Sequence, residues 1–170
     1  QAELELRRTL AASPDASIAA ELRFNLGLAL QRQGGEEQLD EALAIYARLR
    51  EDLGATGLGR SALFQTARLQ AGRNELEAAT AAYLQLCEDF GSAPETDVAR
   101  LELGMALKDG GAWEDAVAHL LAVRTESELY TRSRLEAGQL LAAKGQRRRA
   151  IEVYTAGLAA ATEDDQLALF

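Results

Sequence analysis

The chain has 170 residues, with 18 basic and 27 acidic side chains and a formal charge of −9. It holds 34 Ala and 29 Leu but only seven Ile and Val together, a mix that favours helix and starves sheet, so sandwiches, barrels and doubly wound α/β folds are nearly excluded. The acidic balance argues against nucleic-acid binding, and no apolar run nears the roughly 20 residues that span a bilayer.

In chain order, residues 1–12 read as a helix ended by Ser13-Pro14. Helices follow over about 16–33, 37–53, 59–71, 74–89, 95–109, 112–124, 128–144 and 147–161. Residues 163–170 read as the start of another. Asp15, Asn74 and Thr96 are placed as N-cap or first-turn residues. Glycines mark the turns between helices: Gly34 and Gly35, Gly72, Gly110 and Gly111, and Gly145. With no secretory signal, no initiator Met and a first residue already in a helical pattern, the sequence reads as a piece of a longer protein.

A repeat emerges from these elements. Alternate helices carry an Ala followed four residues later by a large side chain: Ala42 and Tyr46, Ala79 and Tyr83, Ala116 and Leu120, Ala150 and Tyr154. The Ala spacings are 37, 37 and 34 residues. Each preceding helix has a small residue at its middle: Gly27, Ala67, Gly104 and Gly138. Glycine inside a helix costs roughly 1 kcal/mol relative to alanine. Small residues at matching places therefore point to antiparallel helices in close approach. One such pair cannot bury its apolar face alone, whereas stacked pairs can. The chain reads as one all-α domain over 1–170. Its repeats are 15–55, 56–93, 94–126 and 127–162, flanked by 1–14 and 163–170 as parts of further repeats.

The stretches FNLGLAL (24–30), LELGMALKDGGAWEDAV (101–117) and LEAGQLLAAKGQRRRAIEVY (135–154) resemble tetratricopeptide repeats. GAWEDAV (111–117) is a close match, with Trp113 in the aromatic place of the turn. Three departures stand out: the enlarged turn GGEEQLDEA, Ala67 where Gly is commoner, and a Pro after the second helix only at Pro14 and Pro94. The resemblance implies a right-handed superhelical solenoid of antiparallel pairs whose first helices line a concave, peptide-binding face. Transferred onto the landmarks of this chain, that face takes Phe24, Asn25, Leu28 and Arg32; Phe64 and Arg68; Leu101, Met105 and Lys108; and Arg132, Leu135 and Gln139. Four cations on one face of an acidic chain would suit an acidic peptide or a C-terminal carboxylate. EDFGSAPETDVARLELGMAL also resembles the repeats of bacterial envelope proteins through Phe90, Ser92 and Pro94, with Gly91 in place of a Pro. That leans toward the periplasm and leaves the cytoplasm open, and 16 Arg against two Lys fits a GC-rich bacterial genome.

No catalytic constellation is legible. One His rules out a His-pair zinc motif, and His119 lies mid-helix beside Leu120 and Leu121 with no nucleophile elbow nearby. Cys87 is alone, so no internal disulfide forms, and it reads as a small buried apolar residue. The Gly pairs lack a following Gly-Lys-Ser/Thr and so are no phosphate loop. No metal-ligand spacing and no cofactor site appear. Glu36, Glu37, Asp40 and Glu41 open a helix, where acids suit the dipole. Arg147, Arg148 and Arg149 open one against it; pairing with Glu114, Asp115 or Glu152 would compensate, and a docking patch is the alternative. The reading is a non-catalytic scaffold for a protein or peptide partner. Its alternatives are an accessory segment of a larger enzyme or sensor, and self-assembly through the apolar ends at Leu4, Leu6, Leu10 and Leu167, Leu169, Phe170.

Overall fold

The computed structural model describes residues 2–12, 15–91 and 93–161. The expected stop at Ser13-Pro14 and the expected helix start over 163–170 lie outside them. Among the described residues are nine helices and no strand. They are α1 (Ala2–Ala12), α2 (Ala16–Gln33), α3 (Glu36–Leu53), α4 (Gly57–Gly72), α5 (Leu76–Phe90), α6 (Pro94–Asp109), α7 (Trp113–Leu121), α8 (Tyr130–Ala143) and α9 (Arg147–Ala160). They fall into two compact units, Gln1–Phe90 with α1 to α5 and Gly91–Phe170 with α6 to α9. Within each unit, every helix packs on the next one in the chain.

The small residues do what the repeat requires. A Cβ added at Gly27 would stand 2.7 Å from Tyr46 Cε1, and one at Gly104 would stand 2.6 Å from Leu120 Cγ. One at Gly138 would sit on the Tyr154 ring. Each missing side chain thus makes room for the large residue four places after the Ala of the partner helix. Ala67 and Tyr83 are both buried in the second pair. In the first unit Leu26, Leu30, Ala42, Tyr46 and Leu49 form a core with Ala20 of α2 and with Ala62 and Leu69 of α4. In the second, Ala116, Val117, Leu140, Leu141 and Ala150 form another, with Trp113 packed on its margin.

The turns inside the second, third and fourth pairs share one geometry. The N–H groups of Glu75, Ala112 and Gln146 donate to the carbonyls of Gln70, Leu107 and Leu141, each at 2.9 Å, the long closing bond of a Schellman turn. Such a turn needs a residue in the left-handed region. Gly111 (φ 85°) and Gly145 (φ 76°) supply it in the third and fourth pairs. In the second pair Asn74 does so, with φ 60°. Asn74 is therefore a turn residue and not the expected N-cap, and α5 opens two residues later. Asn is among the few side chains that tolerate this conformation. Asp15 does cap α2, accepting from the N–H groups of Ser17 and Ile18, and Thr96 lies in the first turn of α6.

Helix α7 stops at Leu121, short of the expected 124. The reason is Arg134 on α8, which is 8% exposed. Its Nη1 donates to Leu120 O at 2.9 Å, and its Nη2 donates to Leu121 O at 3.0 Å and Val123 O at 3.2 Å. The guanidinium also lies 4.0 Å from the Tyr130 ring centre. The carbonyls orphaned at a helix end are thus satisfied by a side chain. The loop that follows is pinned by Asp97, 1% exposed, which accepts from Arg124 N and Nε at 3.2 and 2.8 Å.

Candidate peptide-binding faces

In the first unit α2 and α4 are neighbours and carry corresponding residues. Phe24 stands three residues before Gly27, and Phe64 three before Ala67. Both rings are half-buried. Phe24 lies 5.7 Å from the Tyr46 ring, and Phe64 meets Tyr83 edge-on at 6.3 Å. Tyr46 Oη donates to Gln31 Oε1 at 3.2 Å. Burial pushes the Tyr46 phenol well above its ordinary value, opposed by the nearby positive charge of Arg32, so the hydroxyl stays a donor. Arg32 and Arg68 are exposed, and the Arg68 guanidinium lies 5.8 Å from the Phe64 ring centre. Asn25 is exposed and Leu28 half-buried. The arrangement offers two aromatic surfaces held from behind by tyrosines, with two exposed cations beside them.

The second unit departs from the expected set. Leu101 holds the same register as Phe64 but is 5% exposed, packed with Leu120 and Ala137. It belongs to the core and offers a ligand nothing. Lys108 is half-buried, and its Nζ lies 2.9 Å from Glu136 Oε2 and 3.6 Å from Met105 Sδ. Its charge is committed inside the protein, so the expected row of four cations loses one. Arg132 and Gln139 are exposed, Met105 is half-buried, and Leu135 faces a pocket between α8 and α9. That pocket, about 320 Å³, is lined by Thr131, Leu135, Ile151, Tyr154, Thr155, Gly157 and Leu158. Sequence reasoning passed over it. The signal was the seven-residue spacing of Ile151 and Leu158, with Tyr154 between them on one helical stripe.

The titratable candidates lie on different helices, His119 on α7 and Cys87 on α5. His119 is half-buried; burial lowers its pKa, Asp115 opposes that shift and Arg100 adds to it. Cys87 is half-buried rather than the buried core residue expected. Among the described residues, no group of three or more His, Cys, Asp or Glu could hold a metal ion. Likewise, no helix there is long and apolar enough to cross a membrane. Arg148 Nε pairs with Glu152 at 3.2 Å, as expected, and Arg149 donates to Gln146.

A family model described as a tetratricopeptide repeat-like domain matches residues 11–169. The chain belongs to this family. None of the curated proteins matches it. Solved structures do share its fold. A crystal structure of MamA aligns over 97% of this chain and 88% of its own, with a TM-score of 0.71 and 17% identity. Another MamA crystal structure aligns over 93% and 80%, with a TM-score of 0.70 and 17% identity. At that identity the likeness speaks for the helical-repeat fold alone.

Proposed function

We propose that this tetratricopeptide repeat-like chain is a non-catalytic protein-interaction scaffold. Its first-helix faces hold a peptide segment of a partner. The observation that carries the reading is the α2–α4 face. Phe24 and Phe64 are half-buried there in matching register, with Arg32 and Arg68 exposed beside them. Aromatic surfaces give a peptide apolar anchors at low entropic cost, and arginines hold carboxylates in a fixed fork geometry. The ligand class that fits is an acidic peptide or a free C-terminal carboxylate next to an apolar side chain.

Fluorescence anisotropy with labelled acidic peptides, free or amidated at the C-terminus, tests it. Arg32→Glu with Arg68→Glu is expected to weaken binding by about a hundredfold, and Phe64→Ala by about tenfold. Added salt should weaken the wild-type complex. Equal affinities for wild type and the charge-reversed protein would sink the reading. A preference for the free over the amidated peptide would identify the carboxylate as the ligand group.

A further inference from the structure

The turns inside the four pairs form a series in which one member reverses its charge. Two residues before the Ala of each second helix stand Asp40, Glu77, Glu114 and Arg148. The three acids suit a helix start; Arg148 opens α9 against the dipole, with Arg147 and Arg149 beside it. In the first unit neighbouring elements neutralise one another at this edge. Arg73, six residues before Ala79, reaches back to Asp40 at 2.6 Å, and Arg7 meets Glu41 at 2.8 Å. In the second unit Lys144, six residues before Ala150, holds the place of Arg73, and Glu114 holds the place of Asp40. That pair is not made: Lys144 Nζ lies instead 6.0 Å from the Trp113 ring centre.

Both turns of the second unit therefore keep their charge. Trp113 packs on the core that holds Ala150, so the α6–α7 and α8–α9 turns lie side by side. Glu114, Asp115, Lys144 and Arg147 are exposed, and among the described residues none of them enters an ion pair. Arg148 meets Glu152 of its own helix with its side chain 93% exposed, and an exposed pair of that kind is weak and readily exchanged. A nucleic acid or an anionic bilayer would meet Glu114 and Asp115 beside the arginines and be repelled by them. A second copy of the chain satisfies both signs. Adjacent patches of opposite charge complement themselves across a two-fold axis, where each contact is made twice. The same approach brings carboxylates to the start of α9, where the dipole favours them. The charge of −9 on each copy repels at a distance, but that repulsion is screened beyond about 8 Å at physiological salt, whereas the turns meet in contact.

We infer that two copies of this chain associate through these turns about a two-fold axis, Arg147 and Arg148 of each meeting Glu114 and Asp115 of the other around Trp113. Sedimentation equilibrium over about a hundredfold range of concentration is the test, with Trp113 emission followed on dilution. Wild type is expected to pass from monomer to dimer and no further, and its sole tryptophan to change emission over the same range. Arg147→Glu with Arg148→Glu makes both turns acidic, and Glu114→Arg with Asp115→Arg makes both basic. Each variant should weaken self-association at least about a hundredfold. An equal mixture of the two should regain a dimer, which also shows that both are folded. The substitutions leave the α8–α9 pocket and the α2–α4 face untouched, so the peptide reading stands or falls separately. Four results would overturn the inference. Wild type that stays monomeric throughout would show that the turns do not meet. A dimer that survives both substitutions, or one whose Trp113 emission ignores dilution, would place the contact elsewhere. Variants that fail to associate on mixing would deny the charge pairing. Growth beyond the dimer would deny the two-fold closure.

Discussion

Gly104 and Gly138 hold the same place in two first helices, yet a Cβ would meet different neighbours. At Gly104 it would press on Leu120, which is wholly buried, with the Ala116 carbonyl 3.2 Å away. At Gly138 it would meet the ring of Tyr154, which is half-buried beside an open pocket. Alanine improves helix propensity equally at both sites, so the difference is packing. Gly104→Ala is expected to destabilise by about 1–3 kcal/mol and Gly138→Ala by distinctly less, as urea denaturation would show. His119 gives a prediction of known sign. Its folded-state pKa lies below 6.5, so the unfolded chain binds the proton more readily and stability falls with the pH through that window. Between about pH 7 and about pH 5 the Tm of wild type should drop more steeply than that of His119→Gln; parallel slopes would acquit the histidine. At this scale the sequence was legible where periodicity spoke. The Ala-to-large pairs were visible because four copies agree. Asn74 was misplaced because an N-cap and a left-handed turn draw on the same side chain, and only the register with Gly111 and Gly145 separates them.

Helix α7 shows how an element end can be decided from elsewhere. The local pattern allows it to run on, and nothing between 112 and 124 forbids three further residues. It stops because a guanidinium from α8 takes its terminal carbonyls. Replacing that group should release the end. Arg134→Met keeps the apolar stem and is expected to cost at least about 2 kcal/mol, with faster amide exchange at 120–124 than in wild type. A normal exchange pattern would mean that the loop holds itself. Neither Arg134 nor Asp97 stands out in the sequence, because a buried ion reads like any surface charge until its partners are in place. In the second unit Leu101 and Lys108 depart from the expected peptide-binding face for a related reason. Leu101 and Phe64 share a register, but in the second unit that position faces Leu120 and Ala137, a difference of packing that register alone does not reveal. Lys108 was counted as a ligand-facing cation because Glu136, its partner, lies 28 residues away in the chain.

For the whole molecule, the division into two compact units has a measurable counterpart. Trp113 is the sole tryptophan and lies on the margin of the second unit's core. Its fluorescence therefore follows that unit, whereas far-UV circular dichroism follows every helix. Stacked repeats need not unfold as one body. The two denaturation curves are expected to have different midpoints in urea; coincident curves would show that the units melt together. The helical-repeat fold was legible because it depends on composition and spacing, which a chain carries openly. The pocket between α8 and α9 was not, because it exists only once two helices lie side by side.

The recurring contact within each helix pair bears on how such a chain changes length over time. The pair contact is written in a small residue, an Ala and a large residue, and its Ala copies lie 37, 37 and 34 residues apart, so duplication of one pair inserts a segment whose two flanks already match what they meet. Deletion of one pair likewise rejoins a surface to an equivalent neighbour. Unequal recombination could thus lengthen or shorten this gene in steps of one pair, leaving each surviving interior as it was.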